Sequence, residues 1–220
     1  MKDVAVLFSG GLDSAVLLAH EARSAMVHPL YVSAGLAWEA DERRVAKRLL
    51  ELMPFASPAA PLVTLEFTVR DLYPATHWAL RGTPPAYDTP DEDVYLVGRN
   101  VLLIAKASIY CAQHDVPRLV LGPLAGNPFP DARGEFFTAM GAAVSLGLNH
   151  SIAVAAPFAD LHKEDVIRLG VELGVPLEAT MSCMNPTAGE HCGACSKCRE
   201  RQQAFAAARV NDPTTYKVRT

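Results

Sequence analysis

The chain is 220 residues long, 50% hydrophobic and 20% charged, with 20 Lys plus Arg against 24 Asp plus Glu for a net charge of -4. That length and apolar content exclude wholesale disorder and allow one α/β domain with a small appendage, hardly two full domains. The acidic balance excludes broad electrostatic binding to nucleic acid or an anionic membrane, leaving room only for a local patch, and no apolar run approaches the ~18 residues of a membrane helix. The opening MKDVAVLFSGG has an early Asp and no small-residue cleavage site, so no secretory signal is read and a cytoplasmic setting is expected.

In chain order, Val4 to Phe8 is an unbroken apolar run that stops at Ser9-Gly10-Gly11, and a helix is predicted from Asp13 through AVLLAHEA. Met26 to Val32 reads as a second strand. Glu39 to Met53 reads as a helix whose Val45, Ala46, Leu49, Leu50 and Met53 share one face. Leu62 to Val69 alternates enough for a third strand. Asn100 to Cys111 is an apolar helix, Arg118 to Leu121 a short buried strand, and Glu135 to Leu146 a further helix. Ile152 to Ala155 is the last predicted strand, and Lys163 to Leu173 a helix closed by Gly174-Val175-Pro176. Strands alternating with helices imply an α/β fold with a doubly wound parallel sheet, whose ligands sit at the carboxyl ends of the strands. Two long loops, Thr83 to Asp93 and Gly122 to Gly134, are candidates for function. From Met181 the periodicity stops, which divides the chain into residues 1–180 and a C-terminal segment, 181–220.

Ser9-Gly10-Gly11-Leu12-Asp13-Ser14 joins a buried strand to a helix N-terminus. Glycines there let the backbone approach a ligand, successive N–H groups form an anion nest, and the helix dipole adds positive potential. The loop is neither GxxxxGK[ST] nor GxGxxG. On turn chemistry alone, a tight turn with Ser or Asp as a cap is the lesser alternative. Arg99 and Asn100 open a predicted helix, where Arg suits phosphate or carboxylate and Asn suits a cap. Asp131 and Arg133 sit in a Pro-rich loop and fit either a grip on a polar heterocycle or a surface ion pair. Lys163 faces either phosphate or solvent.

Four of the five cysteines, Cys183, Cys192, Cys195 and Cys198, fall within sixteen residues. Four thiolates at that spacing suit a closed tetrahedral zinc site, with unligated core cysteines and an iron–sulfur cluster as the alternatives. His191 beside Cys192 could replace one thiol. The other histidines, such as His20, His28 and His77, show no metal spacing.

SGGLDS directly after the first strand resembles the pyrophosphate loop of the N-type ATP pyrophosphatases. With TMSCM and CGACSKCRERQQAF near the end, the chain resembles the QueC family of 7-cyano-7-deazaguanine synthases over nearly its full length. Gly98-Arg99-Asn100, the FPDARGEF stretch at 129–136 and Pro157 with Lys163 stand in the family's order. The resemblance implies ATP at Phe8, Ser9, Gly10, Gly11, Leu12, Asp13, Ser14, Gly98 and Arg99. It implies Mg²⁺ held by Asp13, chemistry at Asp13, Arg99 and Lys163, and a deazaguanine substrate at Asn100, Asp131 and Arg133. It further implies Zn²⁺ on Cys183, Cys192, Cys195 and Cys198, ammonia as the second substrate, a homodimer, and no stable nucleic-acid or membrane partner. The implied reaction is ATP-dependent carbon–nitrogen ligation that turns a carboxylate into a nitrile.

The match fails at several places. The family usually carries Tyr-Gly-Gln after the second strand, where this chain has Ser33-Ala34-Gly35-Leu36-Ala37-Trp38-Glu39. Val97, Ala132, Met181 and Met184 also depart from the family's Pro, Cys, Trp and Tyr. An enzyme adenylating another carboxylate or amide is therefore the second reading. A non-catalytic nucleotide module or a tRNA-thiolating relative is the third. Thiolation wants a reactive cysteine pair, and only Cys111, in an apolar helix, lies outside the cluster.

Overall fold

A computed structural model of the chain describes residues 2–54, 59–187 and 189–218. In chain order the elements are β1 (Lys2–Leu7), α1 (Leu12–Glu21), β2 (Ala25–Ser33), α2 (Glu39–Leu52), β3 (Val63–Glu66) and α3 (Trp78–Arg81). They continue with α4 (Arg99–Gln113), β4 (Arg118–Val120), α5 (Gly134–Leu148), β5 (Ala153–Ala155), α6 (Lys163–Glu172) and α7 (Ser196–Ala208). Short 3₁₀ turns interrupt the two long loops at Asp91–Val94 and Pro130–Ala132. The strands form one sheet in the order β3-β2-β1-β4-β5, every pair parallel.

The apolar β1 run is central because both its faces are covered, as parallel strands require. Val4 and Val6 point into a core shared with α1, α2, α6 and α7, while Ala5 points into a core shared with α4 and α5. The sheet order reverses at β1, with β2 on one side and β4 on the other, so the crevice at their carboxyl ends is the switch point where α/β sheets take ligands.

Three strands are shorter than the pattern predicts, β4 and β5 by one residue each and β3 by four. β3 covers Val63–Glu66 within the expected 62–69 span. It pairs with β2 from Leu30 onward, whereas Val27 pairs back at Ala59, so the segment opposite carries one extra residue. Pro29 stands in β2 at that gap, where its missing N–H leaves no ladder bond unmade. β5 is a three-residue edge strand.

Helix α7 is not anticipated by the sequence. Its buried face consists of Ser196, Cys198, Arg201, Ala204, Phe205 and Ala208, a mixture that hides the apolar period. Ala204, Phe205 and Ala208 enter the same core as β1 and α1. The 83–93 loop docks on this helix. Tyr87 donates to Gln202 Oε1 at 2.6 Å, and Arg199 donates to the Tyr87 and Thr89 carbonyls at 2.7 and 2.8 Å.

Arg201 is fully buried. Its guanidinium donates to Thr214 Oγ1 at 2.7 Å, Thr180 Oγ1 at 2.9 Å, Ser182 Oγ at 3.1 Å and the Leu177 carbonyl at 2.8 Å. It also lies over the Phe205 ring at 5.2 Å. Among the described residues no carboxylate shares these bonds, so this one side chain ties the 177–182 connection and Thr214 to α7. Replacing it with Met should strand several buried acceptors at about 1–3 kcal/mol each. R201M should therefore lose at least about 3 kcal/mol in urea unfolding, and an unchanged midpoint would remove Arg201 from that role.

Candidate active site

A cavity of about 290 Å³ opens at the carboxyl ends of β1, β2 and β4. It brings together Phe8, Ser9, Gly11, Asp13 and Ser14 from the glycine loop with Arg99, Asn100 and Asp131 from the far side. Sequence reasoning proposes all eight. Gly10, Leu12, Gly98, Arg133 and Lys163 do not line it.

The glycine loop is shaped by its backbone. Gly10 takes φ +77°, and a Cβ there would stand 2.9 Å from the Ala46 amide nitrogen, so glycine is required both by conformation and by the closeness of α2. Gly11 is the N-cap of α1, and Leu12 fills the core behind the loop. Ser9 Oγ accepts from the Gly11 N–H at 3.2 Å, and Ser14 Oγ accepts from the Ser9 N–H at 3.3 Å and donates to the Gly11 carbonyl at 3.0 Å. The hydroxyls thus hold a nest of amides at a helix N-terminus, which a phosphate can enter by exchanging for these bonds.

Asp13 stands on the first turn of α1. Its Oδ2 accepts from Lys163 Nζ at 2.7 Å, and Lys163 is bridged in turn to Glu200 at 3.0 Å. Asp13 Oδ1 is buried and without a partner among the described residues. A carboxylate in an anion nest is electrostatically reasonable only with a cation between it and the phosphates, so the orphaned oxygen and the hard oxygen donors fit Mg²⁺. Lys163 is held as an ammonium: burial opposes its charge, but Asp13 and Glu200 outweigh that and raise its pKa. Burial likewise pushes the Glu200 carboxyl up, and the Lys163 and Lys197 ammoniums overcome it, leaving its pKa at about 2.

On the far side, Gly98 in the left-handed region (φ +75°) turns the chain into α4, which places Arg99 at the first helical position. Arg99 lines the cavity, and its Nε is buried without a partner among the described residues. Asn100 and Asp131 clasp each other. The Asn100 backbone N–H donates to Asp131 Oδ2 at 3.0 Å, and the Asn100 side chain donates to the Asp131 carbonyl at 2.9 Å. Half of the Asp131 carboxylate is therefore committed to anchoring α4. Arg133 is exposed, outside the cavity and not paired with Asp131.

Tyr31 and Glu42 also line the cavity, and sequence reasoning misses both because neither belongs to a motif. The Tyr31 hydroxyl donates to Glu42 Oε2 at 3.0 Å, and the Trp38 side chain lies close enough to favour the ionised carboxylate. Burial raises the Glu42 pKa to about 7, against the pull of Arg99 and of those two side chains. Burial and the nearby Glu42 and Glu39 carboxylates raise Tyr31 far above the usual phenol range, so it stays a donor. Trp38 is stacked on Trp78, with ring centroids 5.6 Å apart and planes 9° from parallel. Glu39 accepts from Ser33 Oγ at 2.6 Å, the Ala34 N–H at 2.7 Å and the Gly35 N–H at 3.1 Å. The segment that departs from the family pattern is thus pinned by its own buried carboxylate.

The four clustered cysteine sulfurs lie within 4.8 Å of one another, with Cys192 to Cys198 at 3.9 Å and Cys195 to Cys198 at 3.6 Å. Zn–S bonds of about 2.3 Å place tetrahedral sulfurs about 3.8 Å apart, so the cluster fits zinc. Backbone N–H groups of Asn185 and Cys192 reach Cys183 Sγ at 3.3 Å, the outer support that thiolate ligands need. His191 is outside this set: its Nε2 accepts from the Ser182 N–H at 3.0 Å. Cys111 is buried in α4, and burial pushes its thiol up to about 12. No helix among the described residues is long and apolar enough to cross a membrane.

A family model described as "Queuosine biosynthesis protein QueC" matches residues 3–209. Curated relatives named 7-cyano-7-deazaguanine synthase from Methanopyrus kandleri, Methanothrix thermoacetophila and Anaeromyxobacter dehalogenans are 34%, 32% and 32% identical. The alignments cover 98%, 96% and 96% of this chain and 99%, 96% and 94% of theirs. A solved structure described as a predicted subunit of a tRNA methyltransferase from Methanocaldococcus jannaschii matches with a TM-score of 0.50. That match covers 78% of this chain and 75% of the other at 14% identity, a likeness of fold alone. With the glycine loop, the switch-point cavity and the four-cysteine cluster in one chain, and the match running almost end to end, the protein belongs to the QueC family.

Proposed function

We propose that the protein is an ATP-dependent carbon–nitrogen ligase that converts 7-carboxy-7-deazaguanine and ammonia to 7-cyano-7-deazaguanine, releasing AMP and pyrophosphate. The observation that carries this reading is a single cavity with an amide nest and Asp13 at one end and an unpaired Arg99 at the other, in a chain of this family. The substrate carboxylate attacks the α-phosphate of ATP, with pyrophosphate leaving into the nest of Ser9, Gly10, Gly11 and Ser14. Arg99 orients the carboxylate and offsets charge as the adenylate forms. Lys163 holds Asp13 in place from behind. Mg²⁺, held by Asp13, would neutralise charge on the phosphates. Ammonia attacks the acyl-adenylate to give the amide, whose oxygen is adenylated in turn, and loss of AMP yields the nitrile. Burial at the switch point keeps water from the adenylates.

The residue roles extend to Phe8 and Gly98 as wall and hinge of the ATP site, with Asn100 and Asp131 toward the base, while Arg133, outside the cavity, is left without a role at the base. Residues 1–180 form the ATP unit and 181–220 the zinc-binding segment, of which 188, 219 and 220 lie outside the described residues. The zinc is structural, since four thiolates leave no open position. We place the protein in the cytoplasm as a homodimer without a stable nucleic-acid partner.

A second reading, adenylation of a different carboxylate or amide, is favoured by the 33–39 segment, where Trp38 reaches the cavity wall through Glu42. Mass spectrometry of products from protein, ATP, Mg²⁺, ammonium and 7-carboxy-7-deazaguanine separates the two. A nitrile with AMP and pyrophosphate is the expected result. No base product from protein that binds ATP and zinc would replace it with the second reading.

A further inference from the structure

Three carboxylates line the cavity among the described residues, and no His, Lys or Cys does. Asp13 is engaged by Lys163 at the phosphate end, and Asp131 is committed on one oxygen to the Asn100 N–H. Glu42 stands apart from both. It projects from α2, is half-buried, and among the described residues accepts a hydrogen bond from the neutral Tyr31 hydroxyl, with the Trp38 side chain beside it. The charged groups that act on it are Arg99 from α4, which favours its ionised form, and Glu39 from its own helix, which opposes it.

We infer that the Glu42 carboxylate is the proton acceptor for the two carbon–nitrogen steps of the reaction, held in place by Tyr31 and Trp38. This rests on the reaction proposed above. In the first step the bond from ammonia to the acyl carbon forms and the bond from that carbon to the AMP oxygen breaks. AMP leaves as its anion, and the cationic nitrogen passes a proton to Glu42, giving the neutral amide. In the second, the amide oxygen attacks the α-phosphate of a second ATP and pyrophosphate leaves. The cationic imidate so formed loses one proton to water and gives its last N–H proton to Glu42 while the carbon–oxygen bond to AMP breaks and the nitrile closes. Between steps Glu42 returns its proton to water. A carboxyl with a pKa of about 7 suits this exchange, because it is substantially ionised at neutral pH and strong enough as a base to take the proton. Tyr31 cannot substitute, since it remains a phenol. Trp38 has a part in the same exchange, because Trp78 fixes its ring and its side chain then steadies the acceptor.

The test compares wild type with E42Q and E42D, measuring pyrophosphate release and amide and nitrile formation separately. With enzyme in excess over 7-carboxy-7-deazaguanine, so that a single turnover is read, at saturating ATP and a fixed concentration of free ammonia, E42Q should release the first pyrophosphate near the wild-type rate but form amide and nitrile about a hundredfold more slowly or worse. E42D, which keeps a carboxylate, should recover part of that loss. Hydroxylamine, whose attack leaves a much less basic nitrogen to deprotonate, should trap the acyl-adenylate as hydroxamate equally in wild type and E42Q. Protonating Glu42 removes the acceptor, so wild-type nitrile formation should fall as pH drops through about 7. E42Q should lack that limb. Unchanged nitrile formation in E42Q, or a first-turnover pyrophosphate release that falls as far as amide formation, overturns the assignment while leaving the proposed reaction standing. If E42Q and E42D both lose zinc or melt early, Glu42 is structural and the assignment fails. A wild-type protein that makes no nitrile overturns the reaction itself, and this assignment with it.

Discussion

Asp13→Ala should reduce pyrophosphate release by about a hundred- to a thousandfold while zinc content and melting temperature stay within a few degrees of wild type. The size follows from position. Asp13 is the carboxylate on the phosphate side of the cavity, with one oxygen locked to Lys163 at 2.7 Å and the other buried and unpartnered. Removing it leaves an ammonium, Lys163, beside the nest, so ATP should still bind through charge. The proposed Mg²⁺ would lose its protein anchor, and the defect should therefore lie in kcat more than in KM for ATP. Asp13→Asn keeps the shape and removes the charge, and it should behave like the alanine variant. The fold is spared because Asp13 is half-exposed and the core behind the loop is supplied by Leu12, Ala15 and Val16. Turnover close to wild type in both variants would remove Asp13 from the phosphate chemistry.

Cys195→Ser should cut zinc to well under one ion per chain and lower the melting temperature by on the order of 10 °C. Cys195 is buried at the N-cap of α7, 3.6 Å from Cys198, and its segment bridges to Ala86 in the docked loop. Losing the metal releases both contacts at once. Each kcal/mol lost moves the melting point of a chain this size by about 2–4 °C. A chelator should reproduce the shift in wild type and add little in the variant. Full zinc occupancy with an unchanged melting curve in C195S would show that the cluster is not the metal site.

Much of the frame is readable from the chain alone because its determinants are local. The β1 run, the glycines at 10 and 11 and the helix from Leu12 are contiguous, and the four cysteines lie within one short segment. Arg99 and Asn100 stand out because a left-handed Gly98 precedes an apolar helix. The Tyr31–Trp38–Glu42 group is not readable in this way. Its members read as strand filler, a loop aromatic and a helix-surface acid, and only tertiary packing brings Tyr31 and Glu42 onto one cavity wall with Trp38 behind Glu42. Asp131 is found by motif, yet its bond to the Asn100 amide depends on a tertiary crossing that residue type does not reveal. Glu200 is missed for a similar reason. It lies on a helix whose buried Arg and Ser break the apolar period, and its partner Lys163 belongs to another element.

The Gly10 carbonyl accepts from the Met181 N–H at 2.9 Å, and Glu200 of α7 holds Lys163 against Asp13. Because a chain is made from its N-terminus, the glycine loop leaves the ribosome well before Met181 and Glu200, the residues that support it from a distance. Until Met181 and Glu200 have emerged, Gly10 and Asp13 lack these two supports. Nascent chains of this protein consequently carry the loop sequence long before they carry its finished geometry.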